Sequence, residues 1–126
     1  MPTEIVAPDA PRGTGAYSQA VRAGDFVFIS GQGPLDPDTL EVRGATIEEQ
    51  TARILETIKA ILAAGGATLA DVVKVTAHLS DLSLFDGYNK VYAGYFPDPK
   101  PVRTTVGSQL HGIMVEIDAI AYVGRD

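Results

Sequence analysis

Residues 46–66 carry a complete helix written in local signals. Thr46 offers a side-chain oxygen to the unpaired amides of a helix start, and Glu49, three residues on, can reach back to the Thr46 backbone; together they form a capping box. Ile47, Thr51, Ile54, Leu55, Ile58, Ile61 and Leu62 then fall on one face at helical spacing, and Gly65-Gly66 closes the helix. A stripe that wide must be buried, and the segments on either side read as strands. The helix therefore predicts a layer packed on a sheet.

Strands are expected over Thr3–Val6, over Tyr17–Arg22 before a turn at Ala23-Gly24-Asp25, and over Phe26–Ser30, bounded by Gly31. Gly33 to Asp38 is loop. Val72–Leu79 alternates, with Val73, Val75, Ala77 and Leu79 on one side. Ser83 with Asp86 opens a second helix, striped by Tyr88, Val91, Tyr92, Tyr95 and Phe96 and stopped by Pro97. Val102–Gln109 and Ile113–Val123 are the last two strands, with a turn around His111-Gly112. This order predicts a single two-layer α+β domain over residues 1–126, a mixed sheet with two helices on one face. The final strand turns Met114, Glu116, Asp118, Ile120 and Tyr122 away from the helices. That face is partly apolar and no helix is left to cover it, so a homo-oligomer with sites between subunits is expected.

Composition narrows the chemistry. The 126 residues include no cysteine and two histidines, His78 and His111. Disulfides, thiol nucleophiles, Cys-ligated zinc and iron–sulfur clusters are excluded, and a His-rich metal site is not expected. Ten Lys and Arg stand against 16 Asp and Glu, a formal charge of −6, which argues against nucleic acid. No apolar run reaches the ~18 residues of a membrane span and no signal-peptide pattern opens the chain, so a cytoplasmic protein is expected. Gly13-Thr14-Gly15 and Gly31-Gln32-Gly33 do not lead directly into a helix, which sets aside Rossmann and P-loop nucleotide sites. Ser18 and Ser30 have no evident partner base.

Two charged residues in strands stand out. Arg103, among Val102, Thr104, Thr105 and Val106, is either an edge-strand arginine, a structural partner of Glu116 or Asp118, or a fork that grips a ligand carboxylate. Glu116, between Val115 and Ile117, either faces solvent or is a partly desolvated carboxylate that holds a water and passes protons. His78 reads as structural, His111 as a solvent-facing turn residue, and Tyr88, Tyr92 and Tyr95 as helix core or rim.

Several blocks occur in order along nearly the whole chain: Gly15-Ala16-Tyr17-Ser18-Gln19-Ala20, Ile29-Ser30-Gly31-Gln32, Leu79-Ser80-Asp81, then Asn89, Tyr92 and Phe96, Pro101 to Val106, and Val115 to Ala121. They resemble the RidA/YjgF family of reactive-intermediate deaminases. The resemblance implies a chorismate-mutase-like α+β fold and a homotrimer with three sites in the clefts between subunits. It implies hydrolysis of 2-imino acids, or their enamine tautomers, to 2-oxo acids and ammonia, with no metal or organic cofactor. It also makes Arg103 the carboxylate-binding residue and Glu116 the one that orients water or relays protons. Tyr17, Ser30, Gly31 and Asn89 would line or shape the cleft, and the backbone N–H of Thr105 would face the ligand. The chain departs from the family pattern at Ala16, where proline is usual, at Thr105, where cysteine is common, at the Leu110-His111-Gly112 turn, and at Asp118, where glutamate is common. A non-catalytic binder of small carboxylates and an endoribonuclease or translation inhibitor are the competing readings.

Overall fold

The computed structural model describes residues 1–124; the last two residues of the expected domain lie outside them. Six strands, β1 (Thr3–Ile5), β2 (Ala20–Ala23), β3 (Phe26–Gln32), β4 (Val72–Leu79), β5 (Val102–Gly107) and β6 (Val115–Tyr122), form one sheet in the order β1-β2-β3-β6-β4-β5. The sheet is mixed: β4 and β5 are parallel and every other pair is antiparallel. Two helices, α1 (Ile47–Ala64) and α2 (Phe85–Tyr95), supply the β3-to-β4 and β4-to-β5 crossovers, as parallel strand connections require.

Helix α1 follows its local signals. Thr46 Oγ1 accepts from the Glu49 N–H at 3.1 Å, and Glu49 Oε1 accepts from the Thr46 N–H at 3.2 Å. At the other end the Gly66 N–H reaches Ala63 O at 3.1 Å and the Ala67 N–H reaches Leu62 O at 2.8 Å. This is a Schellman closure, and it needs the left-handed backbone that Gly66 adopts at φ 77°. All seven residues of the predicted stripe are buried. They meet Val27 and Ile29 of β3, Val75, Ala77 and Leu79 of β4, and Val115, Ile117, Ala119 and Ala121 of β6 in one core.

Local boundaries differ from expectation where side chains or bulges intervene. Tyr17, Ser18 and Gln19 lie outside the strand, which begins at Ala20. Gln19 is buried and spends its amide on the preceding loop, accepting from the Ala7 N–H at 2.8 Å and donating to Pro11 O at 2.8 Å. β3 continues through Gly31 to Gln32 across a register shift between Ile29 and Gln32. A second shift between Val72 and Lys74 reverses parity, so that Val72 is buried while Val73 points out, 42% exposed. Helix α2 is preceded by a 3-10 turn at Leu82–Leu84, started not by Ser83 but by Asp81, whose carboxylate accepts from the Ser83 N–H at 2.8 Å.

Both helices lie on one face. The register aligns Phe28, Ile120, Lys74 and Val102 in a row across the opposite face. Phe28 is 42% and Val102 66% exposed, and Phe26 packs on Tyr122 beside the row with ring centroids 5.3 Å apart. Among the described residues no helix is long and apolar enough to cross a membrane.

Candidate active site

Arg103 stands on the edge strand β5 opposite Val75, which in turn opposes Ala119. Both are core residues, so Arg103 shares the helix-covered face. There its Nη1 donates to Asn89 Oδ1 of α2 at 2.8 Å. The guanidinium lies 4.6 Å from the Tyr92 ring centroid, 5.4 Å from Tyr88 and 5.5 Å from Phe85. Burial pushes the Tyr92 phenol up to about 12 and that of Tyr88 up as well, so both rings stay neutral and offer electron-rich faces to the cation. Thr105, two residues along on the same face, places Oγ1 3.0 Å from the Tyr88 hydroxyl. Among the described residues no carboxylate forms an ion pair with Arg103. A half-buried guanidinium with five donors, one of them bonded to Asn89 among the described residues, has donors left with which it can hold an anion. An open depression bordered by Asn89, Tyr92, Ala93, Lys100 and Pro101 gives that anion access.

Glu116 belongs to the other face. It alternates with buried Val115 and Ile117 and stands across from His78 on β4. Tyr17, Ser30, Gly31 and Glu116 line one open depression. The bulge in β3 builds it: a bulged strand bends and re-aims its residues, and this one brings Gly31 against the Glu116 side chain. A Cβ on Gly31 would stand 2.9 Å from Glu116 Oε2 and 3.0 Å from Cδ. Ser30 is tied into the backbone, its hydroxyl donating to Ser18 O at 2.6 Å and its N–H to Gln19 O at 3.0 Å; it shapes the wall and has its hydroxyl already engaged. Tyr17 is half exposed, its hydroxyl accepting from the Thr14 N–H at 3.2 Å.

The Gly31 contact gives a separable test. The obstruction is the end of a flexible side chain, and Gly31 does not occupy the left-handed backbone region. Gly31→Ala is therefore expected to leave the thermal midpoint within a degree or two while displacing the Glu116 carboxylate, and, if that carboxylate serves a reaction, to lower turnover about tenfold. Melting curves and steady-state rates on the same preparation check both halves; unchanged turnover would show that the Glu116 position does not matter.

The sheet separates the two charged residues instead of pairing them. Arg103 is bonded to neither Glu116 nor Asp118, because β4 lies between β5 and β6 and the two strands present these side chains to opposite faces. Asp118 sits opposite Thr76 on the open face, where burial raises its carboxyl while His78 and Lys74 pull it down. His78 Nδ1 lies 2.7 Å from Ser108 Oγ, and His111 is exposed in its turn. Sequence reasoning missed the aromatic bed under Arg103, since Phe85, Tyr88 and Tyr92 have the spacing of core residues. It also missed Gln50, buried in α1, which accepts from the Met114 N–H at 2.9 Å and donates to Gly44 O at 3.0 Å, fixing the approach to β6. A polar residue inside an apolar helical stripe was the available signal.

The six-stranded mixed sheet with two helices on one face, Arg103 on the helix-covered side and Glu116 on the other, is the architecture of a small RidA-like α+β domain. The model of the family described as Endoribonuclease L-PSP matches residues 7–123, and the chain belongs to that family. It is 48% identical over 124 residues to the RutC family protein PH0854 of Pyrococcus horikoshii, covering 97% of this chain and 98% of that protein. It is 40% identical over 121 residues to the chloroplastic Reactive Intermediate Deaminase A of Arabidopsis thaliana, covering 94% of this chain and 65% of that one. Among solved structures, RidA from the Antarctic bacterium Psychrobacter sp. PAMC 21119 superposes with a TM-score of 0.91 at 40% identity, covering 96% and 99% of the two chains.

Proposed function

We propose that this protein hydrolyses reactive 2-imino acids, and the enamines in equilibrium with them, to 2-oxo acids and ammonia. The observation that carries the reading is the Arg103 guanidinium, which forms no ion pair among the described residues, is held by Asn89 and an aromatic bed, and borders an open depression. A protonated imine is a strong electrophile, so catalysis asks mainly for positioning and modest proton transfer. Arg103 clamps the carboxylate in a bidentate fork. Glu116 takes a proton from water as its oxygen adds to C2 and hands it to the nitrogen of the resulting carbinolamine; as the C–N bond breaks and ammonia leaves, Glu116 accepts the hydroxyl proton and the C2=O bond of the 2-oxo acid forms. The Thr105 N–H helps hold the ligand, and Tyr17 closes the cleft.

Because the two half-sites lie on opposite faces, the reading requires a second copy. In a cyclic homotrimer the Arg103 face of one subunit meets the Glu116 depression of the next, closing three sites, and the partly apolar open face supplies the contact. The reaction calls for no metal or organic cofactor, and we place the protein in the cytoplasm, where pyridoxal-phosphate-dependent dehydratases would supply the imine.

The test is to release 2-iminobutanoate with threonine dehydratase and follow 2-oxobutanoate. Added protein should accelerate its appearance in proportion to concentration. Binding of 2-oxobutanoate without acceleration would instead identify a passive carboxylate binder. The family description supports a second reading, RNA cleavage; the charge of −6 opposes it. Nuclease activity that co-purifies with the protein while imine hydrolysis is absent would reverse the preference.

A further inference from the structure

We propose that Tyr88 is a positioning residue that sets the Arg103 guanidinium and the Thr105 backbone together, as one unit, against helix α2. The inference rests on the carboxylate-binding reading of Arg103. Strand β5 is the outer strand of the sheet, held by β4 on one side alone. Backbone pairing therefore fixes its register to β4 but does little to fix its distance from α2. That distance is set by side chains, and Tyr88 is the residue that reaches two of them. Its ring lies 5.4 Å from the Arg103 guanidinium and its hydroxyl 3.0 Å from Thr105 Oγ1. Tyr88 is fully buried, with its ring edge-on to Phe85 at 5.8 Å and 5.7 Å from Tyr92, so it has little freedom to follow a moving strand.

The chemistry of the pair explains why threonine serves at position 105. A buried tyrosine hydroxyl needs a hydrogen-bond partner, and Thr105 supplies one from a β-branched side chain whose χ1 is already restricted. The bond fixes the residue whose N–H faces the ligand, while the ring above supports the arginine two residues earlier. Asn89, one residue on in the same helix, then orients Nη1.

The test compares Tyr88→Phe, which deletes one oxygen and keeps the ring, with Thr105→Val, which removes the same bond from the strand side. Each should raise KM for the imine, and the inhibition constant of 2-oxobutanoate, about fivefold. The change should be carried by KM and not kcat, since the carboxylate is held in both ground and transition states. The double variant should also stand near fivefold, not near the 25-fold of independent effects. A purely structural bond would lower the thermal midpoint and leave KM at the parent value, which overturns the proposal; so does a fully multiplicative double variant. Arg103→Ala in the same assay separates the two levels. If it raises KM while Tyr88→Phe does not, the role of Tyr88 falls alone; if it is silent, the carboxylate-binding reading falls with it.

Discussion

Arg103→Ala should lower kcat/KM for 2-iminobutanoate by about 100-fold or more, with most of the loss in KM. The guanidinium is half buried, and its charge is answered within the described residues by a neutral amide oxygen and three ring faces. A ligand carboxylate entering there forms a charge-assisted pair in a partly desolvated setting, where truncating one partner costs about 2–5 kcal/mol. Folding should tolerate the change, since removing an uncompensated charge from a half-buried site relieves a desolvation cost. Arg103→Lys keeps the charge but loses the planar fork and the flat contact with Tyr92, and should recover only part of the affinity. Steady-state kinetics with the imine, and inhibition by 2-oxobutanoate, measure both. An Arg103→Ala protein with the parent kcat/KM would remove the basis of the deaminase reading.

Glu116→Gln should act on the other parameter. Glutamine fills the space that Gly31 leaves and can still bond a water, but it cannot take the proton. A loss of about 100-fold in kcat is expected, at the lower end for general acid–base catalysis because imine hydrolysis is already quick in water. KM should change little. Mixing the two inactive proteins adds a sharper measurement. In a cyclic trimer of the two variants, one site in each mixed assembly pairs an intact Arg103 with an intact Glu116. Co-refolding equal amounts should thus restore about a quarter of the parent activity, by the symmetry of such rings. No recovery would mean that one chain carries a whole site.

The parts of the fold that can be read from sequence are those whose causes are local. The Thr46–Glu49 box, the α1 stripe and the Gly65-Gly66 ending all act within a few residues of one another, and each stands where its signals place it. Errors arise where distant parts of the chain decide. The shift after Val72 turns Val73 outward, and no alternation pattern can register an extra residue. Gln19 looks like strand until the loop from Ala7 to Pro11 is there to hold it. The candidate site divides in the same way. Arg103 and Glu116 are conspicuous as charges inside apolar strands, and the roles proposed for them come from the ordered family blocks. Their separation follows from β4 lying between β5 and β6, which is a matter of topology. Tyr88 was read as core because the partner of its hydroxyl is 17 residues away on another element.

The row of exposed Phe28 and Val102 with half-buried Ile120 on the open face has a thermodynamic consequence. If that row is covered by copies of the same chain, assembly and folding are linked by mass action, and the melting midpoint rises with protein concentration. Dilution then removes stability and active sites together, so specific activity falls off at low enzyme. An alteration far from Arg103 and Glu116 that loosens the subunit contact would mimic a catalytic defect in a dilute assay and vanish in a concentrated one.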